Sequence, residues 1–190
     1  MSRVAIRSGI SLGEYLEWER DQTERHEYWE GEIFAMAGGT PRHAALAARV
    51  ARSLGAQLPA GCEVYSSDLQ LGVATDKYVY ADVTVVCGKP EVRTGTSDVI
   101  ENPKVVVEVL STNTEQYDRG AKWDAYQDLA SLTDYVLVSQ KSPQIEHFSR
   151  AKDDNWVYRR AEAGGHVTTS DGATLAVDEI FRGVFELPGE

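Results

Sequence analysis

Asn102-Pro103-Lys104-Val105-Val106-Val107-Glu108-Val109-Leu110-Ser111-Thr112 is the stretch whose reading decides the fold. Its centre is a short apolar run rich in β-branched residues, opened by Asn-Pro and closed by Ser-Thr, which predicts a strand. Near-continuous valine and leucine mean that both faces of that strand are covered, as in the middle of an α/β sheet. Glu108 breaks the run. An ionised carboxylate in such a place is costly unless a metal, a cation or several donors compensate it.

Outward from this strand the chain alternates helix and strand signals. Thr112-Asn113-Thr114 caps a helix expected to run to about Leu129, and Tyr135-Val136-Leu137-Val138 reads as the next strand. Gln144–Ser149 and Trp156–Arg160 follow as a hairpin-like pair, and Val177–Val184 as a closing helix with Ile180 and Phe181 inward. Upstream, Tyr78 to Cys87 reads as one strand of period two, which puts Tyr78, Tyr80, Asp82 and Thr84 on one face. Cys62 to Val73 holds two alternating stretches broken by Ser66-Ser67-Asp68, and Gly95 to Glu101 is a polar loop.

Thr40-Pro41 opens the clearest helix, with Leu46, Val50, Leu54 and Leu58 as its buried stripe. Ser11 and Glu14 have capping-box spacing before a first helix, expected to reach about Thr23. His26 to Met36 suggests two short strands turning at Glu30-Gly31. No repeat or linker interrupts this order, so residues 1–190 are expected to form one α/β (α+β) domain: a mixed β-sheet flanked by helices, with additional β-hairpins.

Composition narrows the function. At 190 residues and 42% hydrophobic, the chain can bury a sizeable core, and no run of about 18 apolar residues offers a membrane span. The start, Met1-Ser2-Arg3-Val4-Ala5-Ile6, lacks a signal peptide's apolar region. Cys62 and Cys87 are too few for a disulfide framework and read as free buried thiols, which suits the cytoplasm. A net charge of −11 argues against a broad basic surface for nucleic acid, while leaving room for a local site where a metal supplies the positive charge.

The candidate chemistry lies on two strands and a helix. If the Asp82 and Glu108 strands are neighbours with aligned faces, the two carboxylates converge and suit a hard divalent cation. Each acid, taken alone, could instead end a strand in water or pair with an arginine. Asp118, Lys122, Tyr126 and Leu129 fall on one helical stripe, and spacing alone leaves Lys122 open between an inward amine and a solvated Asp118 partner. Glu30 and Glu32 flank Gly31 as possible auxiliary acids. His43 lies in the first turn of its helix, where the dipole disfavours the imidazolium; a neutral ring there could bind phosphate or water, or merely cap the helix.

Tyr80-Ala81-Asp82, the Asn102–Thr112 block and Tyr117-Asp118-Arg119-Gly120-Ala121-Lys122 together resemble the Uma-two family, mostly bacterial endonucleases of the PD-(D/E)XK superfamily. The likeness extends from Glu30-Gly31-Glu32 through Pro41-Arg42-His43 to Tyr135–Val138. It implies a restriction-endonuclease-like core and an endonuclease acting on DNA, with Mg²⁺, or Mn²⁺ in its place, held by Asp82, Glu108 and the Val109 carbonyl. Two departures stand out: Ala81 replaces the usual proline, and Leu110 stands where the superfamily places its lysine. The resemblance implies that Lys122, from the following helix, substitutes for it. It also implies a homodimer, for which Trp156 and Tyr158 are candidate contacts. The alternative is a catalytically silent binding or assembly protein of the same fold.

Overall fold

The computed structural model describes residues 4–36 and 38–190. Met1–Arg3, part of the N-terminal reading above, lie outside them. The strands, in chain order, are β1 (Arg7–Ser8), β2 (His26–Trp29), β3 (Glu32–Ala35), β4 (Cys62–Ser66), β5 (Gln70–Ala74), β6 (Lys77–Tyr80) and β7 (Val83–Cys87). They continue with β8 (Val99–Ile100), β9 (Val105–Val109), β10 (Asp134–Val138), β11 (Gln144–Arg150), β12 (Trp156–Glu162), β13 (His166–Thr168) and β14 (Thr174–Ala176). The helices are α1 (Leu12–Glu19), α2 (Pro41–Gly55), α3 (Glu115–Tyr117), α4 (Trp123–Gln127) and α5 (Val177–Phe181). A π-helical turn, Asp118–Lys122, joins α3 to α4.

One sheet has the order β12-β11-β10-β9-β7-β4 and is mixed, because β9 runs parallel to β10 and antiparallel to β7. The second sheet has the order β1-β3-β2-β6-β5-β8. The β9 strand lies at the heart of the first, all five of its residues buried. Val105, Val107 and Val109 face α2, where Leu46, Val50 and Leu54 pack with Ile180 and Phe181 of α5. Val106 and Leu110 face the other way, into a core with Tyr126, Leu132, Tyr135 and Leu137. Burying side chains of this size contributes roughly 1.5–3 kcal/mol each, so the strand is fixed by both layers at once.

The expected Tyr78–Cys87 strand is two strands. The chain leaves the second sheet after Tyr80, passes Ala81-Asp82 and joins the first at Val83. Period-two patterning reads straight through such a crossing because the alternation continues on both sides. Tyr80 still pairs with Gln70 of β5, but on the β2 side it lies beyond the last ladder pair, Tyr28 with Tyr78. The Glu27 carboxylate accepts the Tyr80 N–H at 3.1 Å, and the Lys122 amine donates to the Tyr80 carbonyl at 3.0 Å. Buried peptide groups need such partners.

The first helix ends at Glu19, short of Thr23, with the Ser11–Glu14 capping box formed. The Gly95–Glu101 loop contains the two-residue strand β8. The helix after Thr114 is not continuous: the π turn gives it one extra residue where Asp118 and Lys122 point inward, a distortion frequent at functional sites.

Cys62 and Cys87 are not free thiols. They face each other across β4 and β7 and form a disulfide, half-buried at the sheet edge. The 25-residue separation hides this cross-strand register, and the compositional argument for a reducing compartment falls with it. Trp156, a candidate dimer contact, is half-buried: it packs edge-on against Trp123 at 4.8 Å, with the Arg150 guanidinium 4.6 Å above its ring. Tyr158 remains half exposed. Among the described residues, no helix is long and apolar enough to cross a membrane.

Candidate active site

Register brings the two strand carboxylates together. Val83 pairs with Val107 and Val85 with Val105, so Asp82, just before β7, falls opposite Glu108. Asp82 takes up the ladder's next donor with its side chain: its Oδ2 accepts the Val109 N–H at 2.7 Å. Glu108 is 4% exposed. It is held by the Lys122 amine at 3.0 Å and the Tyr126 hydroxyl at 3.1 Å, both on Oε1.

The amine is not in solvent. Lys122 is 5% exposed and lies 3.2 Å from Glu27 and 3.6 Å from Asp118, in addition to Glu108. Four carboxylates therefore surround one ammonium and one imidazole. Two of the four, Glu27 and Asp118, were not singled out in the sequence. Glu27 is a carboxylate set among His26, Tyr28 and Trp29 on β2, a weaker form of the signal that marks Glu108 among its valines. In the sequence Asp118 reads as a helical neighbour of Lys122 and as part of the Tyr117–Lys122 block, with no role of its own.

Glu30 and Glu32 lie elsewhere. Glu30 is exposed at the β2–β3 turn, where its φ is +51°, and pairs with Lys77 at 3.0 Å. Glu32 is exposed and accepts from Ser8. Neither lines the cavity over Asp82 and Glu108; Glu27 does.

Electrostatics follow from this crowding. Burial raises the Glu108 carboxyl well above the usual range; Lys122 opposes the shift, and Asp118 and Asp82 add to it. Burial likewise raises Asp118, against Lys122 and a Thr114 hydrogen bond. For Lys122, burial pulls down, but Glu108, Glu27 and Asp118 outweigh it and hold the amine charged. The cluster carries more negative charge than its lysine neutralises, which favours a proton or a cation.

His43 supplies part of that balance. Its Nε2 lies 3.3 Å from Asp82 Oδ2, and the Val109 backbone also favours the charged ring. Gly39 backs the ring so closely that a Cβ there would fall 2.7 Å from Nδ1. Burial pulls the His43 pKa down, but Asp82, the Val109 carbonyl and Glu190 outweigh it and raise it overall. The carboxylate in contact thus works against the helix dipole, which by itself favours the neutral imidazole.

The sign of the linkage gives a test. A histidine raised in the folded state contributes stability that is fully present below its unfolded pKa, about 6.5, and is lost as pH rises through the folded value. His43→Gln should therefore lose stability relative to wild type at acid pH and converge with it above that window. Urea unfolding across pH measures this; equal offsets at every pH would remove the His43–Asp82 ion pair.

A cavity of about 320 Å³ covers the cluster, lined at its polar end by Glu27, His43, Asp82, Glu108, Asp118 and Lys122. His43, Tyr80 and Asp82 also line a larger groove of about 970 Å³ running beside α1 and α2. The donor set of Asp82, Glu108 and the Val109 carbonyl is all hard oxygen, which fits Mg²⁺ or Mn²⁺.

A mixed sheet with two carboxylates from adjacent strands and a helix-borne lysine defines the class: a nuclease-type fold. The crystal structure of a putative nuclease belonging to DUF820 from Anabaena variabilis shares it. That match has a TM-score of 0.76 at 14% identity and covers 92% of this chain and 99% of the other. The chain belongs to the Uma2 family, described as "Putative restriction endonuclease", whose profile matches residues 12–188. Two uncharacterized Synechocystis proteins are similar over most of their length. One, slr1290, is 39% identical over 178 residues, covering 92% of this chain and 93% of its own. The other, sll1609, is 30% identical over 159 residues, covering 83% and 90%.

Proposed function

We propose that this protein is a metal-dependent endonuclease that hydrolyses phosphodiester bonds in DNA. The observation carrying this reading is the placement of Asp82 opposite Glu108, with the Lys122 amine 3.0 Å from Glu108. Asp82, Glu108 and the Val109 carbonyl would hold Mg²⁺ or Mn²⁺. When bound, such an ion supplies Lewis-acid chemistry, lowering the pKa of water and neutralising phosphate charge.

The chain's own groups do the rest. Lys122 keeps its proton among three carboxylates, so it serves as a fixed donor toward charge developing on the phosphate. Glu108, raised by burial, must give up its proton to serve as a ligand, so cation binding at this site should release protons. For Asp82 to serve a cation, the imidazole of His43, 3.3 Å away, must yield to it, and the ring is then placed to donate to a phosphate oxygen. The Anabaena neighbour is itself described as a putative nuclease, which agrees with this reading.

Plasmid nicking is the direct test. Mg²⁺ or Mn²⁺ should convert supercoiled DNA to open or linear forms, and Asp82→Asn should abolish it. The rival is a silent nuclease-fold binding protein, favoured by the net charge of −11. Calorimetric Mn²⁺ titration separates the two, since a silent protein has no need of a cation at these acids.

The active species is proposed to be a homodimer, so that paired cuts on duplex DNA come from two-fold related sites. β12 is an edge strand whose Val157 and Tyr158 are exposed, which gives a second copy a surface to meet. Light scattering at micromolar concentration should give twice the chain mass; a monomer would end this part of the reading.

A further inference from the structure

Tyr126 is wholly buried on α4, in the core that holds Leu110 and Leu132, with the Tyr135 ring at a centroid distance of 5.2 Å. A hydroxyl sealed in such a core needs a partner. Among the described residues it has one, the Glu108 carboxylate, to which it donates at 3.1 Å. Leu110 shares that face of β9 and has no polar side-chain atom to offer Glu108, so both donors come from the helical segment that follows.

The two donors converge on one oxygen. Lys122, a turn before Tyr126, reaches Oε1 at 3.0 Å, the same atom that takes the hydroxyl. Among the described residues no donor reaches Oε2. That oxygen is not sealed without a partner either, so it opens onto the cavity that Glu108 lines. Asp82 divides its carboxylate in the same way. Its Oδ2 takes the Val109 N–H at 2.7 Å and lies 3.3 Å from His43, while no donor among the described residues reaches Oδ1. Each acid has one oxygen tied to the protein and one left over.

The Lys122 ammonium is a compact point charge, and alone it favours drawing both carboxylate oxygens toward itself. A hydroxyl fixed on α4 breaks that symmetry. We infer that Tyr126 is a positioning residue of the metal site: its hydroxyl pins Oε1 of Glu108 beside Lys122, so that Oε2 is the oxygen presented to the cation. The inference rests on the metal reading of this cavity for its ligand. It goes further in naming the oxygen and the side chain that selects it. Hydrogen-bond partners behind metal ligands are worth roughly ten- to a hundredfold in affinity.

The test reads cation binding directly, on the whole protein and without substrate, from the loss of the free Mn²⁺ paramagnetic resonance signal. Tyr126→Phe keeps the ring and removes the hydroxyl. It should weaken Mn²⁺ binding by about tenfold or more, with the number of sites unchanged. Tyr15→Phe is the control, because it removes an equally buried hydroxyl, 2.6 Å from the His26 carbonyl, in a separate core; it should bind Mn²⁺ as wild type does. A second measurement uses wild type alone, with tyrosine labelled at ¹³Cζ. Mg²⁺ should leave the Tyr126 signal near its metal-free position, since the hydroxyl keeps its acceptor. A shift marking the loss of that acceptor would mean that the cation takes Oε1, and overturns the assignment. Tyr126→Phe binding Mn²⁺ as tightly as wild type would make the hydroxyl a core contact and overturn the inference alone. A wild type that binds no Mn²⁺ overturns the metal reading, and the inference with it.

Discussion

Lys122→Met is expected to destabilise the protein by about 3–5 kcal/mol at neutral pH, the usual cost of removing one partner from a buried ionic cluster. Methionine matches the length of the stem, so the loss is chiefly charge and donors rather than volume. What remains is Glu27, Glu108 and Asp118, all buried, plus a Tyr80 carbonyl stripped of its 3.0 Å donor. The deficit should depend on pH in a definite direction. Glu108 is already raised in the native protein, by burial above all and by Asp118 and Asp82 in addition, with Lys122 opposing. Removing Lys122 raises it further. An acid raised in the folded state costs stability as pH climbs through the window above its unfolded value, about 4.3. The gap between Lys122→Met and wild type should therefore widen as pH rises and narrow toward that value. Urea midpoints at a series of pH values measure it. A constant offset, or a loss below about 1 kcal/mol, would mean that the amine is not what holds these acids together.

The same cluster shows where the sequence spoke and where it was silent. Val105–Leu110 announced a strand covered on both faces, and Thr40-Pro41 with its leucine stripe announced α2; in both, a single period and its end signals carry the information. Glu108 was conspicuous because it is a charge with apolar neighbours on its own strand. Glu27 satisfies the same criterion more weakly, its neighbours being His26 and Tyr28, and Glu30 and Glu32 drew attention by lying beside a glycine turn. Nothing local could show that the chain changes sheets at Ala81-Asp82. That crossing depends on Glu27 and Lys122 serving the Tyr80 peptide groups, which are 53 and 42 residues away respectively. The Cys62–Cys87 pairing and the placement of Glu190 against Thr112 are likewise matters of register and long-range packing. Local patterns place elements; contacts between distant elements assemble the site.

Asp82 gives the sharpest separation between a catalytic acid and a structural one. Its carboxylate accepts the Val109 N–H at 2.7 Å and faces His43 at 3.3 Å, both of which support it, while its charge adds to the burial that raises Glu108 and Asp118. Asp82→Asn keeps an oxygen for the Val109 N–H, gives up the His43 ion pair and relieves the repulsion. The metal-free variant should consequently melt close to wild type, within about 1 kcal/mol. Divalent cations should then divide the two proteins. Mg²⁺ or Mn²⁺ at a hundred times its dissociation constant would stabilise the folded wild type by about 2.7 kcal/mol through mass action. The variant, with one of its two carboxylate ligands neutral, should gain much less, and its nicking activity should fall by about a thousandfold or more if the ion carries the phosphate's charge. Acid should weaken the response of the wild type. His43 holds its proton more tightly than an ordinary histidine, burial notwithstanding, because the Asp82 carboxylate lies 3.3 Å away, and a cation at Asp82 must compete with that imidazolium. Four melting curves, two proteins with and without Mn²⁺, decide the matter. A destabilised Asp82→Asn protein, with neither form responding to the cation, would make Asp82 a structural cap on β9 and remove the metal from this site.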